Sequence, residues 1–438
     1  MSRLLVATVP LTGHVHPMLM VVRALVARGH DVRWYAARKF RPAIEAAGAR
    51  FAAMQAAPDW DDADVEAALP ALRGRRGISR VKAQLRAMFI APMVDQLRDL
   101  EALVDAEPVD AIVADQAHLG AALLAETRGV PWAGLGISAL MLPSVDTMPF
   151  GPGLPPMGRR ANRLFNWLIL RALFGDINRS YRRTRVAAGL PAGSAMYFDV
   201  VSPQLYLQPT IPALEYPRSD LLPHVHFIGP LVPREQPAAA ALPAWWPDVE
   251  DAGRRGVPIV LVTQGTLATD TRELIQPSLR GLADEPVLVV VTTGKLDGVT
   301  LPSNARAAAY VPYQALLPRV AAVVTNGGYG GVQMAVGHGV PLVIAGGSEE
   351  KPEIAARLAW SGAALDLRTG RPKPAAVRAA VRRLLDEPRF RDRAAALAAE
   401  MARYDAPSMA AELIEALVAR RAPILRAERT LAAGAEVA

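Results

Sequence analysis

Short apolar runs alternate with helical patterns along most of the chain. Leu4 to Val9 is apolar and ends in Pro10. Apolar residues at helical spacing then run from Pro17 to Ala27 and close on Arg28-Gly29-His30, with glycine at a C-cap position. Asp31 to Tyr35 is the next strand. This strand–loop–helix–strand order predicts a parallel sheet. A second unit follows: strand Ala111 to Ala114, then Asp115, a helix from about Leu119 to Thr127, and strand Pro131 to Leu135. Segments 55–100 and 140–190 predict loops and helices inserted between strands.

Pro233, Pro237, Pro243 and Pro247 interrupt the pattern, and the rhythm then restarts. Strands are predicted at Pro258 to Thr263, Pro286 to Thr292, Ala307 to Tyr310, Ala321 to Thr325 and Pro341 to Ile344. Each is nearly continuously apolar, as expected of strands buried on both faces. Helices dominate from 374 onward. The chain therefore predicts an α/β fold with two parallel-sheet domains, 1–232 and 257–404, joined by a linker at 233–256.

Composition narrows the function. The 438 residues exceed what one small core needs. A content of 51% hydrophobic and 21% charged residues argues against disorder. The absence of cysteine excludes disulfides, a catalytic thiol and thiolate-held metals. The net charge of +7 raises nucleic-acid binding as a possibility. The arginines are scattered, however, with no basic stripe or aromatic stacking motif, so no nucleic-acid partner is predicted. No run approaches the roughly 18 apolar residues of a membrane span, and the N-terminus lacks a signal-peptide pattern. A cytoplasmic protein, monomeric or homodimeric, is expected.

The richest chemical signal is Thr325-Asn326-Gly327-Gly328-Tyr329-Gly330-Gly331-Val332-Gln333, where a buried strand enters a glycine-rich turn and then a helix. Glycines let a ligand approach the backbone, and a helix N-terminus offers free N–H groups to phosphate. The pattern is neither a Walker loop nor a dinucleotide fingerprint, and a structural turn fits it as well. A second loop, Gln264-Gly265-Thr266, ends another strand of the same half. Ligands of open α/β sheets gather at such carboxyl ends, so the two loops could hold a diphosphate between them. Tyr310-Val311 ends a third strand, where the aromatic either stacks on a base or packs. The acidic stretch Asp59-Trp60-Asp61-Asp62 falls in a polar loop and is assigned to solvent rather than to a metal.

Taken together, the chain resembles the nucleotide-sugar-dependent glycosyltransferases of the GT-B type, family 1, in their bacterial macrolide and natural-product branch. The resemblance covers nearly the whole length. It rests on Pro10-Leu11-Thr12-Gly13-His14-Val15-His16-Pro17, Val225-His226-Phe227-Ile228-Gly229-Pro230-Leu231, the two glycine loops, Gly339-Val340-Pro341-Leu342 and Glu350-Lys351-Pro352. It implies two Rossmann-like domains facing across a cleft, with helices around 405–425 crossing back to the first. The implied reaction inverts the sugar carbon as a UDP- or dTDP-activated sugar passes to a hydroxyl of an apolar aglycone. His14 matches the family's general base and Asp115 the acid that orients it, although a helix N-cap would also explain Asp115. His16 is read as loop packing. No metal and no cofactor beyond the sugar nucleotide are implied.

The resemblance further assigns the donor to Gly265, Thr266, Tyr310, Val311, Asn326, Gly327, Gly328, Gly330, Gly331, Gln333, Glu350 and Lys351. It assigns the acceptor to Thr12, Gly13, Phe165 and Trp167, near Gly151-Pro152-Gly153; those aromatics fit a core equally well. Several positions depart from the family pattern. Asn326 replaces a histidine, Gly331 replaces a common Ser or Thr, and Met334 replaces an acid that grips ribose, leaving Gln333 or Gln314 for that task. Glu350-Lys351 replaces an Asp-Gln pair. Either the sugar differs from glucose, or Lys351 pairs with Glu349, Glu350 or Glu353. Asn326 and Met334 keep a non-catalytic binder in view as a rival; a GT-B epimerase or a lipid-linked sugar transferase is another.

Overall fold

The computed structural model describes residues 1–194, 196–233, 242–265, 270–293 and 298–426. The first sheet contains β1 (Arg3–Ala7), β2 (Asp31–Ala36), β3 (Arg50–Ala53), β4 (Ala111–Asp115), β5 (Trp132–Leu135), β6 (Leu205–Gln208) and β7 (Val225–Phe227). They lie in the order β3-β2-β1-β4-β5-β6-β7, and every pairing is parallel. The second sheet contains β8 (Ile259–Thr263), β9 (Leu288–Thr292), β10 (Ala305–Ala308), β11 (Val320–Thr325), β12 (Leu342–Ile344) and β13 (Ala364–Asp366). Its order is β10-β9-β8-β11-β12-β13, again all parallel. The α/β class with two parallel sheets is as the sequence predicts.

Five helices matter for the site: α1 (Thr12–Ala27), α2 (Arg159–Trp167), α3 (Tyr329–Gly337), α4 (Lys351–Ser361) and α5 (Ala406–Arg420). Helix α1 buries Val15, Met18, Val21, Val22 and Leu25 in the first core. Their spacing puts them on one stripe, and each fully buried side chain contributes about 1.5–3 kcal/mol. Helix α5 lies far along the chain but adds Ala406, Ala410, Leu413, Ile414 and Leu417 to this same core. Glu415 of α5 is held by Arg28 Nε at 2.8 Å and His30 Nε2 at 2.8 Å, just past the end of α1.

Three sequence expectations change. Helix α1 starts at Thr12, so His14 sits on a helical first turn and Pro17 lies inside the helix. Helix Trp246–Arg254 lies inside the expected linker, and its Trp246, Val249 and Ala252 pack in one core with residues of β8 and β11. Much of the expected linker, 234–241, lies outside the described residues. Strands β3, β6, β7 and β13 were not anticipated; they are short and carry Arg50, Gln208, His226 and Asp366, which break an apolar run.

Candidate active site

Each sheet reverses its strand order once, between β1 and β4 and between β8 and β11. The crevice beyond the carboxyl ends of such a strand pair is where open α/β sheets receive ligands. His14 and Asp115 lie at the first of these points, and Gly265 and Asn326 at the second.

In the first domain, His14 follows β1 and Asp115 ends β4. Their side chains meet, with His14 Nδ1 3.1 Å from Asp115 Oδ1. The ring N–H is not aimed straight at the carboxylate. Contacts of this kind are often poorly aligned until substrate binds. Asp115 has no exposed surface and His14 is 8% exposed. The carboxylate is fixed from both sides: Oδ2 accepts from the Val9 N–H at 2.8 Å and Oδ1 from the Ala117 N–H at 2.8 Å. Burial alone would raise the Asp115 carboxyl. The His14 ring, the nearby His118 and the Val9 N–H outweigh burial and hold it below the usual carboxylate range. Phe89 stacks beside the His14 ring at 6.3 Å between centroids.

The N-cap of the following helix, Leu119–Arg128, is His118, whose Nδ1 accepts from the Ala121 N–H at 3.2 Å. The capping role is thus filled by another residue. Burial pushes the His118 ring down to about 4. His16 lies on the exposed side of α1, contrary to the packing role expected of it.

Thr12 and Gly13 form the start of α1. Leu11 supplies no side-chain cap, and Asp62 takes over: Oδ2 accepts from the Thr12 N–H at 2.6 Å and Oδ1 from Thr12 Oγ1 at 3.0 Å. Lys39 Nζ also pairs with Asp62. Asp62 is only 4% exposed, which corrects its assignment to solvent. The free N–H groups of a helix start are what draw a carboxylate inward. Gly13 is exposed. Phe165 and Trp167, on α2, are 38% and 56% exposed, so neither is core.

In the second domain, Gly265 follows β8 and Asn326 follows β11. Both loops touch: Asn326 Nδ2 donates to the Gln264 carbonyl at 2.5 Å. Gly265 takes φ +76 and Gly327 φ +91. At Gly327 a Cβ would lie 2.9 Å from Ile344 Cγ2. Gly328 is the N-cap of α3 and gives it no side-chain cap. Among the described residues, nothing lies within 4 Å of a Cβ placed on Gly328, Gly330 or Gly331. The start of α3 is therefore a bare helix N-terminus in which no Cβ obstructs an approaching anion. Among the described residues, Asn326 Oδ1 is buried without a partner. Thr266 lies outside the described residues.

Tyr310 is 60% exposed beyond the end of β10, while Val311 is buried. Gln333 is buried and turns into a cavity of about 20 Å³ shared with Thr210, Glu215, Tyr329 and Arg357. Gln314 Nε2 donates to the Pro233 carbonyl at 3.3 Å. Glu350 immediately precedes α4 and Lys351 begins it. Lys351 Nζ pairs with Glu349. Burial lowers the Lys351 ammonium's affinity for its proton, but Glu349 and Glu350 outweigh this and raise it.

The sequence reading missed Asp62, Glu215, Glu353 and the Tyr329 hydroxyl. Glu353 and Arg357 stand four apart on a helix, a spacing that predicts a pair. Nothing in the sequence announces Glu215, which bonds Arg357 across 142 residues.

Residues 278–419 match the erythromycin biosynthesis protein CIII-like, C-terminal domain. The chain is 45% identical to 4'-demethylrebeccamycin synthase of Lentzea aerocolonigenes over 424 residues, covering 95% of this chain and 100% of that protein. It is 35% identical to UDP-glycosyltransferase 2 of Phaeomoniella chlamydospora, covering 95% of each. The crystal structure of CalG4, the calicheamicin glycosyltransferase, superposes with a TM-score of 0.74 at 22% identity, covering 96% of this chain and 99% of that one. Two switch-point sites on two parallel sheets, together with relatives matched nearly end to end, place this chain in the GT-B glycosyltransferases of the macrolide and natural-product type.

Proposed function

We propose that the protein transfers a sugar, with inversion, from a UDP- or dTDP-activated donor to a hydroxyl of an apolar natural-product aglycone. The observation that carries this reading is the His14–Asp115 pair, with its carboxylate fixed by two backbone N–H groups. Asp115 holds the His14 ring through Nδ1, which leaves Nε2 to take the acceptor's hydroxyl proton. The acceptor oxygen then bonds to the anomeric carbon as the bond from that carbon to the diphosphate oxygen breaks. The electron pair leaves with the nucleoside diphosphate.

The bare start of α3, with Gly327, Gly328, Gly330 and Gly331, supplies N–H groups for that charge. Asn326 and Gly265 complete the cradle, and Tyr310 offers a face to the base. Glu350 accepts hydrogen bonds from sugar hydroxyls, and Lys351 stands beside it. Exposed Phe165 and Trp167 suit an apolar acceptor, with Thr12 and Gly13 beneath it. The relative named a UDP-glycosyltransferase supports a nucleoside-diphosphate donor.

His14→Ala tests the reading. Turnover measured by mass spectrometry falls by about a hundredfold or more. Calorimetric affinity for UDP or dTDP is unchanged. Retained turnover in this variant would remove His14 as the base.

A further inference from the structure

The two domains meet through a buried ionic cluster that no part of the reaction above uses. Glu353, in the first turn of α4, is 3% exposed. Its Oε1 accepts from the N–H groups of Gly151 at 2.8 Å and Gly153 at 2.7 Å, both in the first domain's loop before α2. Its Oε2 accepts from Arg357 Nη1 at 2.5 Å. Arg357 Nε then donates to Glu215 Oε2 at 2.7 Å, and Glu215 Oε1 accepts from the Leu140 N–H at 2.6 Å. Gly153 takes φ +66, and a Cβ there would lie 2.4 Å from the Pro352 carbonyl oxygen. The loop backbone is therefore pressed against the first turn of α4. Helix α3 is tied down in the same way. Tyr329, its first residue, receives a hydrogen bond from Gln208 Nε2 at 3.1 Å, and Gln208 also binds the Ser138 carbonyl at 2.8 Å.

Stability alone is a poor reason for such a cluster. Burying three charges is costly, and apolar residues of similar volume often do as well or better. What the carboxylate supplies is register. It accepts from two loop N–H groups at once, so the loop cannot slide along α4 without unpairing both of these half-buried donors.

Resting on the proposed reaction, we infer that Glu353 is a positioning residue. It locks the donor-sugar end of α4, Glu350 and Lys351, to the acceptor-side loop Gly151-Pro152-Gly153. The anomeric carbon is thereby registered against the hydroxyl that His14 deprotonates. Misplacement by about 1 Å can cost a hundredfold in rate, which is the scale on which such a tie matters.

The test compares Glu353→Ala, Gly153→Ala and the core control Leu397→Ala with the wild type, well below all their melting temperatures. Alanine offers no acceptor, so the Gly151 and Gly153 N–H groups both lose their partner. Hydrogen exchange of residues 148–154 rises in Glu353→Ala and Gly153→Ala. The ratio of sugar transfer to donor hydrolysis falls about tenfold in both, and UDP or dTDP affinity holds. The control changes neither exchange in 148–154 nor the ratio. The inference is overturned if Glu353→Ala leaves exchange in 148–154 as in the wild type, or if Leu397→Ala reproduces both effects. Exchange needs no turnover. A wild-type chain that transfers no sugar would therefore remove the reaction, while the exchange comparison still decides the tie.

Discussion

Asp115 shows how much one carboxylate is asked to do. It accepts from Val9 and Ala117 on opposite oxygens and faces the His14 ring. An amide has only one acceptor oxygen. Asp115→Asn therefore turns an NH₂ group toward a buried N–H or toward His14, and either is a donor facing a donor. Turnover falls about a hundredfold or more while nucleotide affinity is kept, checked by kinetics and calorimetry. His118, three residues on, carries a separate prediction. Burial holds its folded value at about 4, against an ordinary 6.5. Between those values the unfolded chain binds a proton that the folded one refuses. Stability therefore falls as pH drops from about 6.5 to about 4, by up to about 3 kcal/mol. Asparagine can still accept from the Ala121 N–H but does not titrate. Denaturant melts of His118→Asn across this window lose most of that slope; an unchanged slope would rule His118 out as its source.

At the scale of elements, helix α1 depends on a cap borrowed from elsewhere. Asp62 satisfies the first N–H of the helix that carries His14. Asp62→Ala costs about 1–2 kcal/mol as a lost cap, while Lys39 keeps its pair with Asp61 at 2.8 Å. It also lowers turnover, because His14 rides on that turn, whereas UDP affinity is unchanged. The glycine turn answers differently. Gly327→Ala meets both a left-handed backbone and Ile344, so stability falls in denaturant melts, and calorimetric nucleotide affinity falls with it.

The sequence made β1, β2, β4, β5, β8, β9, β11 and β12 legible because both faces of these strands are buried and the residues run mostly apolar; edge strand β10, half-buried beyond Ala305 and carrying Arg306, starts two residues before the predicted Ala307. It made the glycine turn legible because few other residues tolerate φ +91. Asp62 and Glu353 were illegible for a common reason. A carboxylate is drawn inward only when tertiary structure brings it to unpaired N–H groups, and its own neighbours in sequence do not report that. The short strands β6 and β7 were hidden by their polar residues, although Gln208 and His226 are themselves buried.

For the whole molecule, chain order and domain membership part company at the end. Helix α5 follows the second sheet, yet it packs on α1 in the first core and is tied to it through Glu415. Gly229 makes room for this return: a Cβ there would lie 2.2 Å from Tyr404 Cβ. Sequence position alone would send damage in α5 to the second domain, but the packing sends it to the first. Ile414 is fully buried, and Ile414→Ala removes most of its side chain from the first core. The expected cost is about 2–5 kcal/mol. Hydrogen exchange then rises in β4, β5 and α1, all more than 270 residues away in sequence, while β8 and β11 stay protected. If β8 and β11 lose protection instead, α5 belongs energetically to the second domain. If all strands lose protection equally, the two sheets open as one unit, and the contacts between them are as strong as the contacts within each.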